Sequence, residues 1–263
     1  MAGWAAVRLV LPGILVMASG AGFLRPNFRG EEIPTGVGVV LFISSLAVVT
    51  VSILFLPGDM KWKAVVFMLA LSGYTCLGLM DDIWGCGRCK GLAGHMKSLL
   101  RGRLTTGSIK ALAGGILAVF LAAAGGDRPL IPLNALVLAL SVNMINLLDL
   151  RPGRAGKCFL ALGAVILAAF PLREETAFMA LVAGGLLAYL PADLKARAMM
   201  GDAGSNALGA VLGVAAVWLF DLKLKVLYLV ILLTLHVLTE KHSLTKIISA
   251  NRVLDYLDKL GRK

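Results

Sequence analysis

The sequence predicts an all-α integral membrane protein, a polytopic bundle of about nine transmembrane helices with its N-terminus outside and its C-terminus in the cytoplasm. The chain has 263 residues, of which 59% are hydrophobic, and a mean hydropathy of +0.86. A soluble domain has a smaller apolar share. The apolar residues are gathered in long runs, and most basic residues lie between alternate runs. These observations predict a multi-pass membrane protein.

Nine apolar runs approach the length at which a helix crosses the hydrocarbon layer, roughly 17 to 25 residues. They cover approximately residues 4–24, 36–57, 62–80, 107–125, 129–148, 156–171, 174–191, 204–221 and 223–240. The sixth run is short for a span, and the sixth and seventh have the least defined limits. The first run lacks a basic start and a clear cleavage site, so we interpret it as a retained helix and not as a signal peptide.

The positions of Lys and Arg predict the orientation, because basic residues near span ends are retained on the cytoplasmic side. Five alternate connections hold most of the 26 basic residues: 25–35, 81–110, 149–157, 192–203 and 241–263. We therefore divide the chain into a transmembrane domain, residues 1–240, and a basic cytoplasmic tail, residues 241–263. The spacing of apolar residues in the tail predicts an amphipathic helix on the membrane surface.

The net charge of +11 has a simple explanation in this setting. Basic residues beside a membrane are attracted to anionic headgroups, and no nucleic-acid recognition motif accompanies them. We therefore expect the membrane, and not nucleic acid, as a partner. Cys86 and Cys89 form a lone C-x-x-C, which is too few ligands for a zinc site, so free thiols are favoured. The sequence leaves open whether the chain forms a homodimer.

Four acidic residues follow or precede the predicted spans on the cytoplasmic side. Asp81 and Asp82 end the third span, Asp149 ends the fifth, and Asp202 precedes the eighth. Carboxylates at the apolar boundary are costly, so they usually face a cavity or a partner and mark a functional path. Because they come from three helix ends at one surface, we expect a shared site.

The fifth span ends in an amide and carboxylate stripe. Asn143, Asn146 and Asp149 recur every three residues, so they share one helix face. Such a stripe suits a metal, a sugar or a neighbouring helix, and interhelical hydrogen bonding explains the two asparagines equally well. Asp149 favours a functional site, because a charge at this depth needs more than one hydrogen-bond partner.

The segment 200–210 begins the eighth span with Gly201, Asp202 and Ser205. A glycine-containing helix start exposes backbone N–H groups that suit a phosphate, although Asp202 is also a normal N-cap residue. Carboxylates combined with substrate phosphates are the ligands that Mg²⁺ prefers. Nearby basic residues are suited to phosphate oxygens: Arg25, Arg29, Lys90, Lys97, Arg101, Arg151, Arg154 and Lys157. The combination indicates phosphoryl chemistry beside a membrane.

Four segments in this order resemble one family. They are EEIPTGVGVV after the first span, GLMDDIWG after the third, NMINLLD after the fifth and MGDAGSNALG before the eighth. The ordered set, from about residue 25 to 210, resembles the polyprenyl-phosphate N-acetylhexosamine-1-phosphate transferases. The resemblance implies that a polyprenyl phosphate attacks the β-phosphate of a UDP-amino sugar, with Mg²⁺, for cell envelope glycan assembly.

The resemblance also implies roles for individual residues. Asp81 and Asp82 match the paired catalytic aspartates, Asp149 matches an acid of the N-x-x-N-x-x-D motif, and Asp202 matches the G-D motif. Asp81, Asp82 and Asp149 are thus the expected catalytic residues, and Asp202 with Asp149 the expected metal ligands. The expected substrate-binding residues are Asn143, Asn146, Lys90, Arg151, Arg154, Gly201 and Ser205.

Two departures from the family pattern concern the substrate. The sequence DLRPGR from Asp149 has Pro152 in place of a second acid, and the last cytoplasmic segment offers only His242 where many members carry several histidines. These departures motivate an alternative, a non-catalytic member that binds a polyprenyl lipid or a partner envelope enzyme. A transporter is disfavoured, because its charges would lie at the membrane midplane.

Overall fold

The computed structural model describes residues 1–85, 106–125, 128–171 and 173–262. Within these ranges the chain folds into helices α1 to α11 and one small hairpin. The helices are, in order, Ala2–Gly20, Val39–Ser52, Gly58–Trp84, Thr106–Ala124, Ile131–Leu148, Arg154–Ala169, Thr176–Leu194, Gly201–Leu219, Leu222–Lys241, Leu244–Ala250 and Arg252–Lys259. Strands β1 (Leu24–Pro26) and β2 (Glu32–Pro34) lie between α1 and α2, and a 3-10 turn, Arg128–Leu130, precedes α5.

Seven helices in the described part of the chain are long and apolar enough to cross a membrane, namely α1, α3, α4, α5 with its preceding turn, α7, α8 and α9. Helices α2 and α6 have 14 and 16 residues. Helix α6 ends at Ala169, close to Pro171, which cannot continue a helix. The prediction of a polytopic helical membrane protein is confirmed. The number of nine spans and the orientation stay predictions.

Helix α8 lies at the centre of the bundle, with nearly all of its residues buried. It packs against α3 on one side and α5 on the other. The contacts are close because both interfaces contain glycine: a Cβ on Gly78 would overlap the backbone of Asp202, and one on Gly209 would overlap Val142. Small residues let helix backbones approach in a membrane. The NALGAVLG segment, residues 206–213, therefore serves close packing of α8 against α5.

We expect Gly78→Val to destabilise the protein strongly, because the new side chain meets backbone, which cannot rotate away. Inserting side-chain atoms into a packed interior typically costs about 1–3 kcal/mol, and more where backbone must move. The check is the midpoint of thermal unfolding in detergent, which should fall by several degrees or more. Gly13→Val is the matched control, since a Cβ on Gly13 of α1 meets open space. Equal midpoints for both variants would contradict the packing described.

The connection between α1 and α2 forms a hairpin that the sequence did not predict. Leu24 pairs with Pro34 and Pro26 with Glu32 in antiparallel register. The turn is closed by Asn27, whose Oδ1 accepts hydrogen bonds from the backbone N–H groups of Arg29 (2.8 Å) and Glu31 (3.1 Å). Asparagine side chains commonly stabilise turns in this way. The hairpin lies beside the start of α8, because Met199 N donates to Pro34 O at 2.7 Å.

The segment 241–263 forms two short helices, α10 and α11, in its described part. Asn251 caps α11, because its Oδ1 accepts hydrogen bonds from the N–H groups of Val253 (3.0 Å) and Leu254 (3.1 Å). Large apolar side chains on α11, including Val253 and Leu254, are exposed. Their exposure is consistent with an apolar face turned to the membrane surface, and that location stays a prediction.

Candidate active site

Helices α3, α5 and α8 bring the expected acidic residues to one end of the bundle. Asp81 and Asp82 lie in the last turn of α3, Asp149 directly follows α5, and Asp202 lies in the first turn of α8. The close α3–α8 and α5–α8 packing fixes the relative heights of these helix ends. Asp82 lies within hydrogen-bonding distance of α8, and Asp149 and Asp202 line one cavity. The structure thus brings together acids that are up to 121 residues apart.

Lys110, on α4, is the cation at the centre of this cluster. Its Nζ donates a hydrogen bond to Asp202 Oδ2 and lies 3.6 Å from Asp81 Oδ2. The side chain of Lys110 is 18% exposed, so the ion pairs are partly shielded from water. An ammonium between two carboxylates offsets their mutual repulsion. Sequence reasoning missed Lys110, because a lysine near a span end resembles one that contacts headgroups.

Asn146 connects α5 to the same cluster. The amide orientation that satisfies both of its polar atoms places its nitrogen 3.0 Å from Asp202 Oδ1 and its oxygen 2.9 Å from Lys110 Nζ. In this orientation the amide nitrogen also lies 3.0 Å from the hydroxyl of Ser205, which is buried in α8. Asn143, one turn away, is exposed. Asn146 and Ser205 therefore fix Asp202 and Lys110, whereas Asn143 faces outward.

Asp82 has a different partner from Asp81. Its Oδ1 accepts a hydrogen bond from the backbone N–H of Asp202 (2.9 Å) and its Oδ2 from that of Ala203 (3.0 Å). A carboxylate on the N–H groups of a first turn satisfies donors that the helix cannot and interacts with the positive end of the helix dipole. This arrangement differs from the sequence expectation, because a carboxylate, and not a phosphate, occupies these two N–H groups.

Gly201 makes the approach of Asp82 to α8 feasible. Its φ angle is +70°, a conformation that costs residues with a Cβ about 1–2 kcal/mol. A Cβ on Gly201 would also lie 2.5 Å from Asp82 Oδ2. Gly201 was expected to bind substrate, and the structure gives it a clear steric function, which is to leave room for the Asp82 carboxylate.

A cavity of about 170 Å³ opens beside the acidic cluster. Its walls come from the β1–β2 hairpin, the turn after α5 and the segment before α8: Asn27, Phe28, Ile33, Thr35, Asp149, Leu150, Arg151, Pro152, Asp193, Ala196, Ala198, Met199, Met200, Gly201 and Asp202. Pockets for drug-sized ligands span roughly 300–1,000 Å³. The cavity is smaller than such a pocket, and its volume suits a phosphate-sized part of a substrate.

Asp149 lines this cavity together with two other acids, Asp193 and Asp202. Desolvation raises its pKa well above the usual value, and the nearby carboxylates of Asp193, Asp202 and Asp82 raise it further. A cation that enters the cavity would favour the charged form of Asp149, because an opposite charge nearby lowers the pKa of a carboxyl group. Asp193, which the sequence analysis missed, is buried in α7, and its Oδ2 accepts a hydrogen bond from Gly153 N at 2.9 Å. Its position at the end of an apolar span was the available signal.

Arg151 lies at the mouth of the cavity against an aromatic ring. Its guanidinium carbon is 5.6 Å from the centroid of Phe28, and that of Arg29 is 5.1 Å from the same centroid. Stacking of this kind holds a guanidinium in place. Of the expected substrate-binding cations in the described ranges, Arg151 is the one that lines the cavity.

Arg154, another expected substrate ligand, does not line the cavity. Arg154 forms a bidentate ion pair with Asp258 of α11, with distances of 2.7 and 2.9 Å. Lys90 falls outside the described residues, as do Cys86 and Cys89. Their expected roles stay predictions.

The acids fit a magnesium ion that arrives with phosphate ligands. Among residues in the described ranges, no group of three His, Cys, Asp or Glu side chains lies close enough to hold a metal alone. Mg²⁺ usually needs only one or two carboxylates, completed by substrate phosphates and water. Asp81 and Asp202 both face the Lys110 ammonium, so their oxygen atoms already converge on one cation. This set of donors suits Mg²⁺ supplied with a diphosphate.

Comparisons with known proteins identify the family to which the chain belongs. The family model described as glycosyl transferase family 4 matches residues 64–220. A phospho-N-acetylmuramoyl-pentapeptide-transferase of Desulforudis audaxviator is 30% identical over 213 residues, which cover 70% of this chain and 62% of that protein. One of Lactobacillus delbrueckii subsp. bulgaricus is 32% identical over 195 residues, covering 70% and 60%.

The chain therefore spans about three fifths of the length of these relatives. The matched region runs from α3 to the start of the connection after α8, and it contains Asp81, Asp82, Lys110, Asp149 and Asp202. Because this match extends over more than half of the chain and includes the acidic cluster, the protein belongs to glycosyl transferase family 4, within the polyprenyl-phosphate N-acetylhexosamine-1-phosphate transferase superfamily.

Proposed function

We propose that the protein transfers a sugar-1-phosphate, in the first instance an N-acetylhexosamine-1-phosphate, from a UDP-sugar to a polyprenyl phosphate. The reaction would depend on Mg²⁺, take place at the cytoplasmic face of the membrane and serve cell envelope glycan assembly. The observation that carries the proposal is the cluster of Asp81, Lys110, Asn146 and Asp202 at the ends of four helices. Family membership and the two named relatives support the same reaction class.

The charges of the site favour substrates that bring a divalent cation. Asp149, Asp193 and Asp202 line the cavity, with Arg151 at its mouth. A bare anion would be repelled by these carboxylates, because like charges at short distance destabilise each other in a partly dry site. The acids would hold the cation of a magnesium diphosphate, and Arg151 and Lys110 would pair with its phosphate oxygens. The site therefore discriminates in favour of a metal-bound diphosphate.

The proposed reaction exchanges one phosphorus–oxygen bond for another. An oxygen of the lipid phosphate forms a bond to the β-phosphorus of the donor, and the bond from that phosphorus to the bridging oxygen breaks. The products are a polyprenyl-diphosphate sugar and UMP. Electrostatic stabilisation and positioning dominate catalysis of phosphoryl transfer. When bound, Mg²⁺ would supply charge stabilisation on the diphosphate.

The residues of the chain supply position and charge in this scheme. Asp202 and Asp81 would hold the metal-bound diphosphate, with Asn146 fixing the Asp202 carboxylate. Lys110 would approach the phosphate oxygens, since its ammonium already lies between these carboxylates. Asp82 keeps the start of α8 against the end of α3 through its two backbone hydrogen bonds.

An apolar groove offers a path for the prenyl chain of the acceptor. The groove, of about 620 Å³, lies between α4 and α5 and begins at Ala111, next to Lys110. Its floor consists of small residues, including Gly115, Ala118 and Ala135, and larger aliphatic side chains border it. We assign this groove to the first isoprene units, since apolar surface is the natural contact of a prenyl chain.

The test is an assay of purified protein in detergent with undecaprenyl phosphate, Mg²⁺ and a panel of sugar-labelled UDP-sugars. We expect label in a lipid extract with at least one donor, and loss of that product on addition of EDTA. Protein that is folded by thermal unfolding and yet makes no labelled lipid from any donor would contradict the proposed function.

A second candidate function is that of a non-catalytic member that binds a polyprenyl lipid or a partner envelope enzyme. The observation that favours it is Pro152, which lines the cavity and stands where the family pattern that the sequence resembles has a second acid. The catalytic function requires the charges of the acidic residues, whereas the non-catalytic function does not. If Asp82→Asn and Asp202→Asn genes fully complement a deletion strain, the non-catalytic function is supported.

A further inference from the structure

The turn between α5 and α6, residues 149–153, carries two of the candidate site residues. Asp149 and Arg151 both line the cavity, and both belong to this turn. Short turns at a helix end are mobile unless their backbone groups find partners. The position of the cavity wall therefore depends on what holds residues 149–153 in place.

Two contacts hold the turn, and one of them comes from the distant end of the described chain. Gly153 has a φ angle of +73°, and its N–H donates to Asp193 Oδ2 at 2.9 Å. Arg154, directly after it, is 5% exposed and begins α6. Arg262, beyond α11, donates from Nε to Pro152 O at 3.1 Å. The segment after α9 therefore reaches back to the wall of the candidate site.

Asp258 of α11 is the residue on which this attachment converges. Its two carboxylate oxygens accept hydrogen bonds from Arg154 Nε (2.7 Å) and Nη2 (2.9 Å), which is the strong bidentate geometry. Arg262 Nη2 donates to Asp258 Oδ1 at 3.0 Å. Both guanidiniums lower the pKa of Asp258 to about 2. One carboxylate thus links α11, the start of α6 and the carbonyl of Pro152.

Lys157 strengthens the attachment from α6. Its Nζ donates to the carbonyl oxygens of Leu257 (2.7 Å), Asp258 (2.6 Å) and Leu260 (3.1 Å). These carbonyls lie at the end of α11, where a helix leaves acceptors unsatisfied and where a cation is favourable. Docking of α11 therefore uses both its side chains and its last turn.

We propose that Asp258 is a positioning residue: through Arg154 and Arg262 it fixes the 149–153 turn so that Asp149 and Arg151 meet the phosphates of the donor. This inference rests on the proposed function and adds a distant segment to its site. It also gives Arg154 a function in the DLRPGR sequence, where the charge of Arg154 is neutralised by Asp258. The groove proposed for the acceptor is lined by residues between Ala111 and Ala139, and residues 149–153 are not among them.

The test compares Asp258→Asn, Asp258→Glu and Asp255→Asn in the full-length protein. Asp255 is a matched control, because it pairs with Lys259 on the exposed side of the same helix. For Asp258→Asn we expect an increase of about tenfold or more in the KM for the UDP-sugar with an unchanged KM for polyprenyl phosphate. A 1 Å misplacement costs up to about 100-fold. The KM of Asp258→Glu for the UDP-sugar should lie close to the wild-type value, and Asp255→Asn should have wild-type kinetics.

A purely structural role would reduce the amount of active enzyme instead. Loss of kcat at unchanged donor KM, or an Asp258→Asn enzyme with wild-type kinetics, would overturn the inference. Docking is measured separately by trypsin cleavage after Lys246 and Arg252, which we expect to be faster in Asp258→Asn. Equal cleavage in wild type and Asp258→Asn would contradict the docking itself. A wild type that makes no lipid product, yet shows the expected difference in cleavage, would instead contradict the proposed function.

Discussion

Lys110→Met should reduce kcat by about 10²–10³-fold, the cost typical of removing one preorganised electrostatic group from an active site. The ammonium is the cation between Asp81 and Asp202, and it also donates a hydrogen bond to the amide oxygen of Asn146. Methionine keeps a similar length and removes the charge, so the two carboxylates repel each other without compensation. The measurement is steady-state kinetics of lipid product formation at saturating donor and acceptor.

The control for this prediction is Lys223→Met. Lys223 lies in the first turn of α9 and is exposed, so its replacement should change kcat by less than twofold. Thermal unfolding of both variants shows whether a loss of activity reflects unfolding. Normal kcat in folded Lys110→Met would show that the ammonium is not part of the reaction site.

Asp202→Asn should have a comparable or larger effect, with activity lower by about 10³-fold. The substitution keeps the size of the side chain and leaves the backbone N–H that bonds Asp82, so α8 should stay in place. It removes the charge that faces Lys110, and with it a ligand suited to Mg²⁺. The measurement is the rate as a function of Mg²⁺ concentration. The variant should need a higher Mg²⁺ concentration than the wild type to reach saturation.

Asp59→Asn serves as the control for Asp202→Asn. Asp59 is an exposed acid in the first turn of α3, at the other end of that helix from Asp81. It should retain wild-type activity and Mg²⁺ dependence. If Asp202→Asn behaved in the same way as Asp59→Asn, Asp202 would have no role with the metal.

The sequence was sufficient to predict the membrane fold and the meeting of the acids. Apolar length identifies a span locally, and the positions of charges at span ends predict which residues share a surface. This reasoning placed Asp81, Asp82, Asp149 and Asp202 in one region, where the structure has them. Their individual partners could not be predicted, because they depend on the rotation and height of each helix.

The residues that were missed show which information a single sequence lacks. Lys110 and Asp193 are ordinary charged residues near span ends, and only the packing of α4 and α7 directs them inward. Asp82 was expected to do chemistry, and its two hydrogen bonds to α8 depend on a helix 120 residues away. Similarly, an amphipathic pattern predicted a surface helix near the end of the sequence, whereas the ion pair of Asp258 with Arg154 is a long-range contact.

The most direct test of the central claim follows the β-phosphorus of the donor. Purified protein, undecaprenyl phosphate and Mg²⁺ are incubated with a UDP-sugar that carries ³²P in the β-phosphate. If the site catalyses sugar-1-phosphate transfer, the label should enter the lipid extract, and UMP should appear in an equal amount. If the label stays in water-soluble UDP while the sugar moves to lipid, or stays in the unreacted donor, the site does not perform the phosphoryl transfer proposed for it.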